Sequence, residues 1–388
     1  MTLLVIVSRD YGELSVAKYF LTDLEMTPKP VMLVPVALGQ PEAIEARVET
    51  RNYRTFADIR RVVDEIEPDI VLLFSGYLLA IGTHFSLVNA FRLFGLLRRR
   101  RVSIVTSDPF IGLLQGPRSL RFREMLRLRK KDGPGLVASI VAPLLALRTY
   151  LIHWRLRSHW HVYPAPVTHR FLAADHRGLS FYNASAVPGP AQYATEPGAP
   201  PFWLFVLSEV EFCFQTNRRG GVFVEHLAAR LRDAARPGRR VVMIGPGNLL
   251  AELRERIGGA AGIELCETAP HAMYMRLLLQ AERVFFWNYY SFSVLHRVLS
   301  DQPVHYFDEG HMVSILPGLN QVGIDTFYAG WRPPLLSLEE PLDEARIEQV
   351  SGETRENFAR IRTRIETGLS PRSLLAKAGA PSAPPVNE

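Results

Sequence analysis

At 388 residues the chain is too long for one ordinary domain, and 47% hydrophobic with 22% charged residues describes a globular protein with material for two cores. Two cysteines, Cys213 and Cys266, exclude a disulfide framework and do not resemble metal ligands; both lie in apolar runs, are expected in the core, and suit a reducing cytoplasm. The net charge of +6 comes from arginine-rich blocks, Arg98–Arg101 and Arg118–Lys131, yet no zinc-finger spacing, aromatic RNA-binding signature or recognition helix accompanies them, so nucleic acid is not expected as a partner.

The N-terminal run MTLLVIVSRDYGE has no basic leader region and reads as a first strand, Leu3–Ser8. A turn at Asp10–Gly12 leads into an amphipathic helix over Glu13–Leu24. Val31–Val36 follows as a strand. Thr55–Ile66 reads as a helix, with Phe56, Ile59, Val62, Val63 and Ile66 at helical spacing. Asp69–Ser75 and Val102–Thr106 are further strands, and their continuous apolar character is that of parallel strands covered on both faces. Leu136–Ile152 is seventeen residues with one charge, Arg148. It reads as a buried helix, with contact with an anionic membrane surface and bilayer spanning as alternatives. A fifth strand falls near His161–Tyr163. The Pro- and Gly-rich stretch Ser185–Pro201 then reads as a linker.

The alternation restarts beyond it. Strands are expected at Phe202–Leu207, Arg240–Ile244, Gly262–Cys266, Val284–Trp287 and Val304–Phe307, separated by helices over Gly221–Ala235, Leu249–Ile257, His271–Ala281 and Ser291–Leu299. A charged amphipathic helix over Leu342–Thr367 and a tail rich in Ala, Pro and Gly, Ala376–Glu388, end the chain. The expected fold class is therefore α/β, with two Rossmann-like domains facing each other across a cleft. The expected domains are 1–185, a linker at 186–201, 202–341, a helix at 342–370 that crosses back to the first domain, and a disordered tail at 371–388.

Ligands of open parallel sheets bind beyond the carboxyl ends of the strands. Gly245-Pro246-Gly247 could bring backbone amides to a phosphate, or be a plain turn. In Asn288-Tyr289-Tyr290-Ser291-Phe292-Ser293 a strand runs into a helix that Ser291 can cap; its hydroxyls and free amides favour an anion, while an ordinary serine cap is the simpler alternative. In Asp308-Glu309-Gly310-His311, a carboxylate could accept ribose hydroxyls or merely occupy a surface turn. His271 could reach a phosphate or base, or cap its helix. In the first half, Asp108 and Asp10, the latter beside Gly12, are the candidate catalytic carboxylates, with turn or cap roles as the alternative.

The stretch Gly262–His311 resembles the nucleotide-sugar-binding half of GT-B glycosyltransferases, and the resemblance extends over Arg240 to about Val350. It rests on the helix carrying Met275, Leu278, Leu279 and Ala281, the polar loop and helix after the next strand, and the Gln302-Pro303-Val304 strand start. Some features resemble bacterial sialyltransferase-type and capsule-type members. Those carry a His-Pro step, here reversed as Pro270-His271, and a serine pair for the donor phosphate, here Ser291 and Ser293 split by Phe292. Retaining members place a glutamate where this chain has His296, and no Asp-x-Asp motif occurs.

The resemblance implies an inverting, metal-independent glycosyltransferase of bacterial surface polysaccharide biosynthesis. It would take a nucleotide sugar as donor, with no separate cofactor and no metal, and a glycan or lipid-linked acceptor. Gly12, Gly245, Gly247, His271, Asn288, Ser291, Ser293, Asp308, Glu309 and His311 would bind substrate, with Asp108 or Asp10 as base. The expected location is cytoplasmic, at the inner-membrane surface. Two alternatives stay open: a nucleotide-sugar 2-epimerase, and a non-catalytic GT-B-like binding or assembly protein.

Overall fold

The computed structural model describes residues 1–38, 47–81, 85–107, 135–166, 177–189, 200–267, 269–289, 291–307, 310–315 and 317–379. The chain folds into two compact units. The first draws on residues 1–119, 144–186 and 364 onward, the second on 120–143 and 187–363.

In the first unit seven strands form one sheet in the order β3-β2-β1-β4-β5-β6-β7, with every pairing parallel. They are β1 Leu3–Val7, β2 Val31–Pro35, β3 Glu49–Tyr53, β4 Ile70–Phe74, β5 Ser103–Ser107, β6 Trp160–Tyr163 and β7 Arg177–Ser180. Every residue of β1, β2 and β4 is buried, because helices cover both faces of a parallel sheet. The register sets Leu3 to Val7 directly against Ile70 to Phe74. Helix α1 spans Tyr11–Leu21 and α2 spans Phe56–Ile66. The spacing of Ile59, Val62 and Val63 buries one stripe of α2, and a capping box between Thr55 and Asp58 fixes its start. The amide of Arg54 and the other donors at that cap hold the Asp58 carboxyl below its ordinary range.

Two further helices, α3 (Gly76–Ile81) and α4 (Leu87–Arg99), lie between β4 and β5. Helix α5, Gly135–Leu156, contains the apolar stretch of the sequence. From Ile140 onward, the helix is buried on one side only. Thr149, Ile152 and Leu156 are inside, whereas Leu144, Leu147, Tyr150 and Trp154 face outward. Among the described residues no helix is long and apolar enough to cross a membrane.

The second unit has six parallel strands in the order β10-β9-β8-β11-β12-β13. They are β8 Phe202–Val206, β9 Arg240–Ile244, β10 Ile263–Cys266, β11 Arg283–Phe286, β12 His305–Phe307 and β13 Leu335–Leu336. The helices are α6 (Glu209–Arg219), α7 (Val222–Ala234), α8 (Gly247–Ile257), α9 (His271–Gln280), α10 (Phe292–Leu299), α11 (His311–Ile315), α12 (Pro317–Thr326) and α13 (Glu344–Ile365). The core is aromatic. Phe205 and Phe285, neighbours on β8 and β11, stack at 4.4 Å, and Trp287 and Phe307 extend the same layer. Cys213 and Cys266, expected in the core, are half-buried.

The end of the chain belongs to the first unit. Leu369 bridges in parallel to Phe181 just past β7, donating to the Ser180 carbonyl and accepting from the Tyr182 amide. A Cβ on Gly368 would lie 2.7 Å from the Phe181 carbonyl carbon, so only glycine allows this approach. Helix α14, Pro371–Gly379, then buries Leu374, Leu375 and Ala378, and the Ser103 hydroxyl donates to the Ala378 carbonyl at 2.8 Å.

Candidate functional site

The order of the second sheet fixes where its site lies. From β8 the chain steps outward through β9 to β10, then returns to β11 on the other side of β8 and continues through β12 to β13. The junction of β8 and β11 is therefore the topological switch point, where helices leave to opposite faces and a crevice opens beyond the carboxyl ends.

A buried carboxylate occupies this junction. After β8, Ser208 caps α6 by accepting from the Glu211 amide at 3.2 Å. The Glu211 side chain is 1% exposed. Its Oε2 accepts from Asn288 Nδ2 at 2.7 Å, from the His311 amide at 3.1 Å and from His311 Nδ1 at 2.7 Å. Its Oε1 accepts from Gln215 Nε2 at 2.8 Å. Asn288 follows β11 and His311 opens α11 after β12, so one carboxylate ties together the ends of three successive strands. Four donors offset the cost of burying that charge.

Nδ1 of His311 lies 2.7 Å from a carboxylate oxygen, so Nδ1 carries a hydrogen and donates it. The side chain is 18% exposed, so a ligand can reach it. Gly310 makes the close packing possible: a Cβ there would lie 2.0 Å from the Trp287 carbonyl oxygen and 2.3 Å from Asn288 Oδ1.

The second locus is separated from Asn288 only by residues 289 and 290. Ser291 caps α10, its hydroxyl accepting from the Ser293 amide at 3.2 Å. The Ser293 hydroxyl shares a 2.7 Å hydrogen bond with the Tyr274 hydroxyl of α9. Burial pushes Tyr274 up to about 12, so it keeps its proton. His296, one turn into α10, lies edge-on to Phe292 at 4.7 Å. Burial first, and the charge of nearby His271 second, hold His296 down to about 3, so it is neutral. His271, Tyr274, Ser291 and Ser293 thus gather where two helices begin. Hydroxyls and helix-end amides there make an environment suited to an anion.

Of the remaining sequence candidates, the described ones lie away from both loci. Gly245 is buried against the side chains of Leu249 and Met243, a packing role. Gly247 opens α8, but the Glu267 carboxylate lies over it, with Oε1 2.5 Å from where a Cβ would be. That negative charge disfavours a phosphate at this helix end. Asp10 is exposed and acts as the N-cap of α1, accepting from the Gly12 amide at 2.8 Å and the Glu13 amide at 3.3 Å. Asp108, Asp308 and Glu309 lie outside the described residues.

Arg297 of α10 is fully buried. It donates to the carbonyls of Leu278, Ala281 and Pro303 and to Gln302 Oε1 at 2.7–3.0 Å, a clamp on the backbone. Among the described residues no three His, Cys, Asp or Glu side chains converge as metal ligands. Glu211 was not among the sequence candidates. Ser208-Glu209-Val210-Glu211 carries the S-x-x-E pattern of a capping box, which reads as local helix chemistry. Only half of that box forms, and the carboxylate turns to Asn288 and His311 instead.

No protein-family model matches the chain, and no curated protein matches its sequence. Solved structures do. The glycotransferase of kitacinnamycin aligns at a TM-score of 0.54 and 12% identity, covering 98% of this chain and 99% of that one. Phytolacca americana UGT2, complexed with UDP-2fluoro-glucose and pterostilbene, aligns at 0.53 and 12% identity, covering 98% and 100%. A candidate UDP-N-acetylglucosamine 2-epimerase from Listeria monocytogenes aligns at 0.51 and 12% identity, covering 97% and 94%. The chain has a GT-B glycosyltransferase-like fold. In GT-B terms the switch-point cluster and the α9/α10 locus both belong to the C-terminal unit. The identities are low, and what is shared is the fold.

Proposed function

We propose that this GT-B protein is a nucleotide-sugar-dependent glycosyltransferase whose second unit holds the donor. The observation that carries the reading is the Glu211–Asn288–His311 cluster at the switch point, beside an anion-suited pair of helix starts. The Ser291/Ser293/Tyr274 locus, with His271, would take the phosphates. His311 Nε2 would hydrogen-bond a hydroxyl of the ribose or sugar, with the ring oriented by Glu211.

In the proposed inverting step an acceptor hydroxyl oxygen bonds to the anomeric carbon as the bond to the nucleotide phosphate breaks. The nucleotide leaves with that bonding pair, and the acceptor proton passes to a carboxylate, Asp108 or Asp10. The acceptor is a glycan or lipid-linked glycan of bacterial surface polysaccharide assembly, and the transfer is metal-independent. Helix α10 presents His296 where retaining members carry glutamate, which supports inversion over retention.

Calorimetric titration with a panel of UDP-, TDP- and CMP-sugars tests the reading. Saturable binding of one of them is expected, weakened about tenfold in Ser293→Ala and His311→Ala, as the loss of one charge-assisted contact implies. Absence of saturable binding across the panel would end it. The similarity to the candidate epimerase supports a second reading, nucleotide-sugar 2-epimerisation. Appearance of the C2 epimer by NMR with no acceptor present would select that one.

A further inference from the structure

We infer that the outer face formed by α4 and the second half of α5 is a docking surface for anionic phospholipid bilayers. This inference is independent of the nucleotide-binding reading. An open groove of about 770 Å³ runs along this face. Phe56, Phe91 and Leu151 contribute its apolar lining, and Arg60, Arg92 and Arg99 its charge; among the described residues no carboxylate lines it.

Alongside the groove, Leu144, Leu147 and Trp154 project from one face of α5 with Tyr150 beside them, the spacing of 144, 147, 151 and 154 being that of a single helical stripe. Leu144, Leu147, Tyr150 and Trp154 are 49–60% exposed, Leu151 is half-buried, and Val88 on α4 is 59% exposed. Several large apolar side chains turned outward on one face are unusual on a soluble surface and mark an interaction site.

Charge and aromatic placement favour a lipid surface as the occupant. The side chains of Arg92 and Arg99, which line the groove with Leu151 of α5, make no ion pair or hydrogen bond with other described residues, so two guanidinium groups stand unpaired there. Anionic headgroups complement them. Trp154 and Tyr150 are the residue types that settle at headgroup depth, and arginine stems can lie along apolar surface while the charge stays in the polar layer. Arg155 lies over the rings of both Phe91 and Trp154, at 5.0 and 4.7 Å from their centroids, which holds the Trp154 indole at the rim. The geometry is that of a protein resting in the interface, with the helix lying on the bilayer.

Flotation of the full-length protein tests this, using phosphatidylcholine vesicles with and without phosphatidylglycerol. Binding to the anionic vesicles is expected to be about tenfold or more tighter, and to weaken with added salt. Leu147→Glu with Trp154→Glu should abolish it, and Arg92→Glu with Arg99→Glu should remove the preference for phosphatidylglycerol. All four positions are exposed, so far-UV circular dichroism and the thermal midpoint should not move. If a variant misfolds, the wild-type protein and Trp154→Phe decide the matter. Anionic vesicles should shift the wild-type tryptophan emission to the blue, and the Phe variant should lose most of that shift.

Equal affinity for both vesicle types, or none for either, overturns the inference. So does a concentration-dependent dimer that the Leu147 and Trp154 substitutions dissociate, because the face would then join two copies of the chain. Nucleotide-sugar titration of the same variants should match wild type, so failure of either reading leaves the other standing.

Discussion

The two units wind their sheets by the same rule and use carboxylates at the strand ends differently. In the first, Asp10 stays on the surface and serves the amides of its own helix, while Glu13 is buried and accepts the Ser107 hydroxyl at 2.6 Å. In the second, Glu211 is buried and joins residues from three segments. A cap stabilises one helix end. A carboxylate that three segments share makes the position of each depend on the others. The second unit is therefore built around its polar junction, whereas in the first Asp10 serves only its own helix and Glu13 joins Ser107.

The largest test of that contrast is Glu211→Ala. The Asn288 and His311 donors would be left facing a void, and a loss of about 3 kcal/mol or more is expected in urea unfolding, together with loss of nucleotide binding. A cost no greater than that of a surface substitution would remove the distinction between the units.

Acid should separate the units next. His296 and His305, both in the second unit, are held down to about 3 chiefly by burial. In the unfolded chain each titrates near 6.5. The unfolded state then binds protons that the folded state does not. The stability these histidines contribute is complete above that value and falls as pH drops toward 3, by about 2 kcal/mol each at pH 5. The first unit has His159 shifted in the same direction, by burial and by Arg177. Calorimetry at pH 7.5 and pH 5 should show the second unit's transition moving down further. His305→Asn should narrow the gap; equal movement of both transitions would count against the assignment.

The smallest effect concerns Asp10. As a cap, its replacement by alanine should cost about 1 kcal/mol and by asparagine only a few tenths, read from thermal midpoints. If Asp10→Asn keeps the midpoint but abolishes transfer, the carboxylate is acting on the acceptor and the two units are chemically less different than their burial suggests.

Strands buried on both faces were plain in the sequence: β1, β2, β4, β8 and β9 are continuous apolar runs that the parallel arrangement demands. Strand β3, Glu-Thr-Arg-Asn-Tyr, was not, because it forms one edge of its sheet and buries only Tyr53. Strand β7 at the opposite edge, Arg-Gly-Leu-Ser, is short and mostly half-buried for the same reason. Helix α4 was masked by the arginine block at its end, whereas the Ser208-x-x-Glu211 start of α6 is a helix signal in the sequence. At the site, Asn288, Ser291, Ser293 and His311 could be found because they follow predicted strands. Glu211 could not, since a glutamate in a first helical turn ordinarily faces solvent, and its true partners are 77 and 100 residues away.

The Leu369 bridge has a practical consequence for anyone shortening this chain. Strand β7 would otherwise present its outer Ser180 carbonyl and Tyr182 amide to solvent, an invitation to pair with another molecule. A construction ending before Gly368 would uncover that margin and strip Leu374 and Leu375 from the sheet, so aggregation during expression is the expected outcome. Affinity tags belong beyond Gly379, where they leave the closing segment in place.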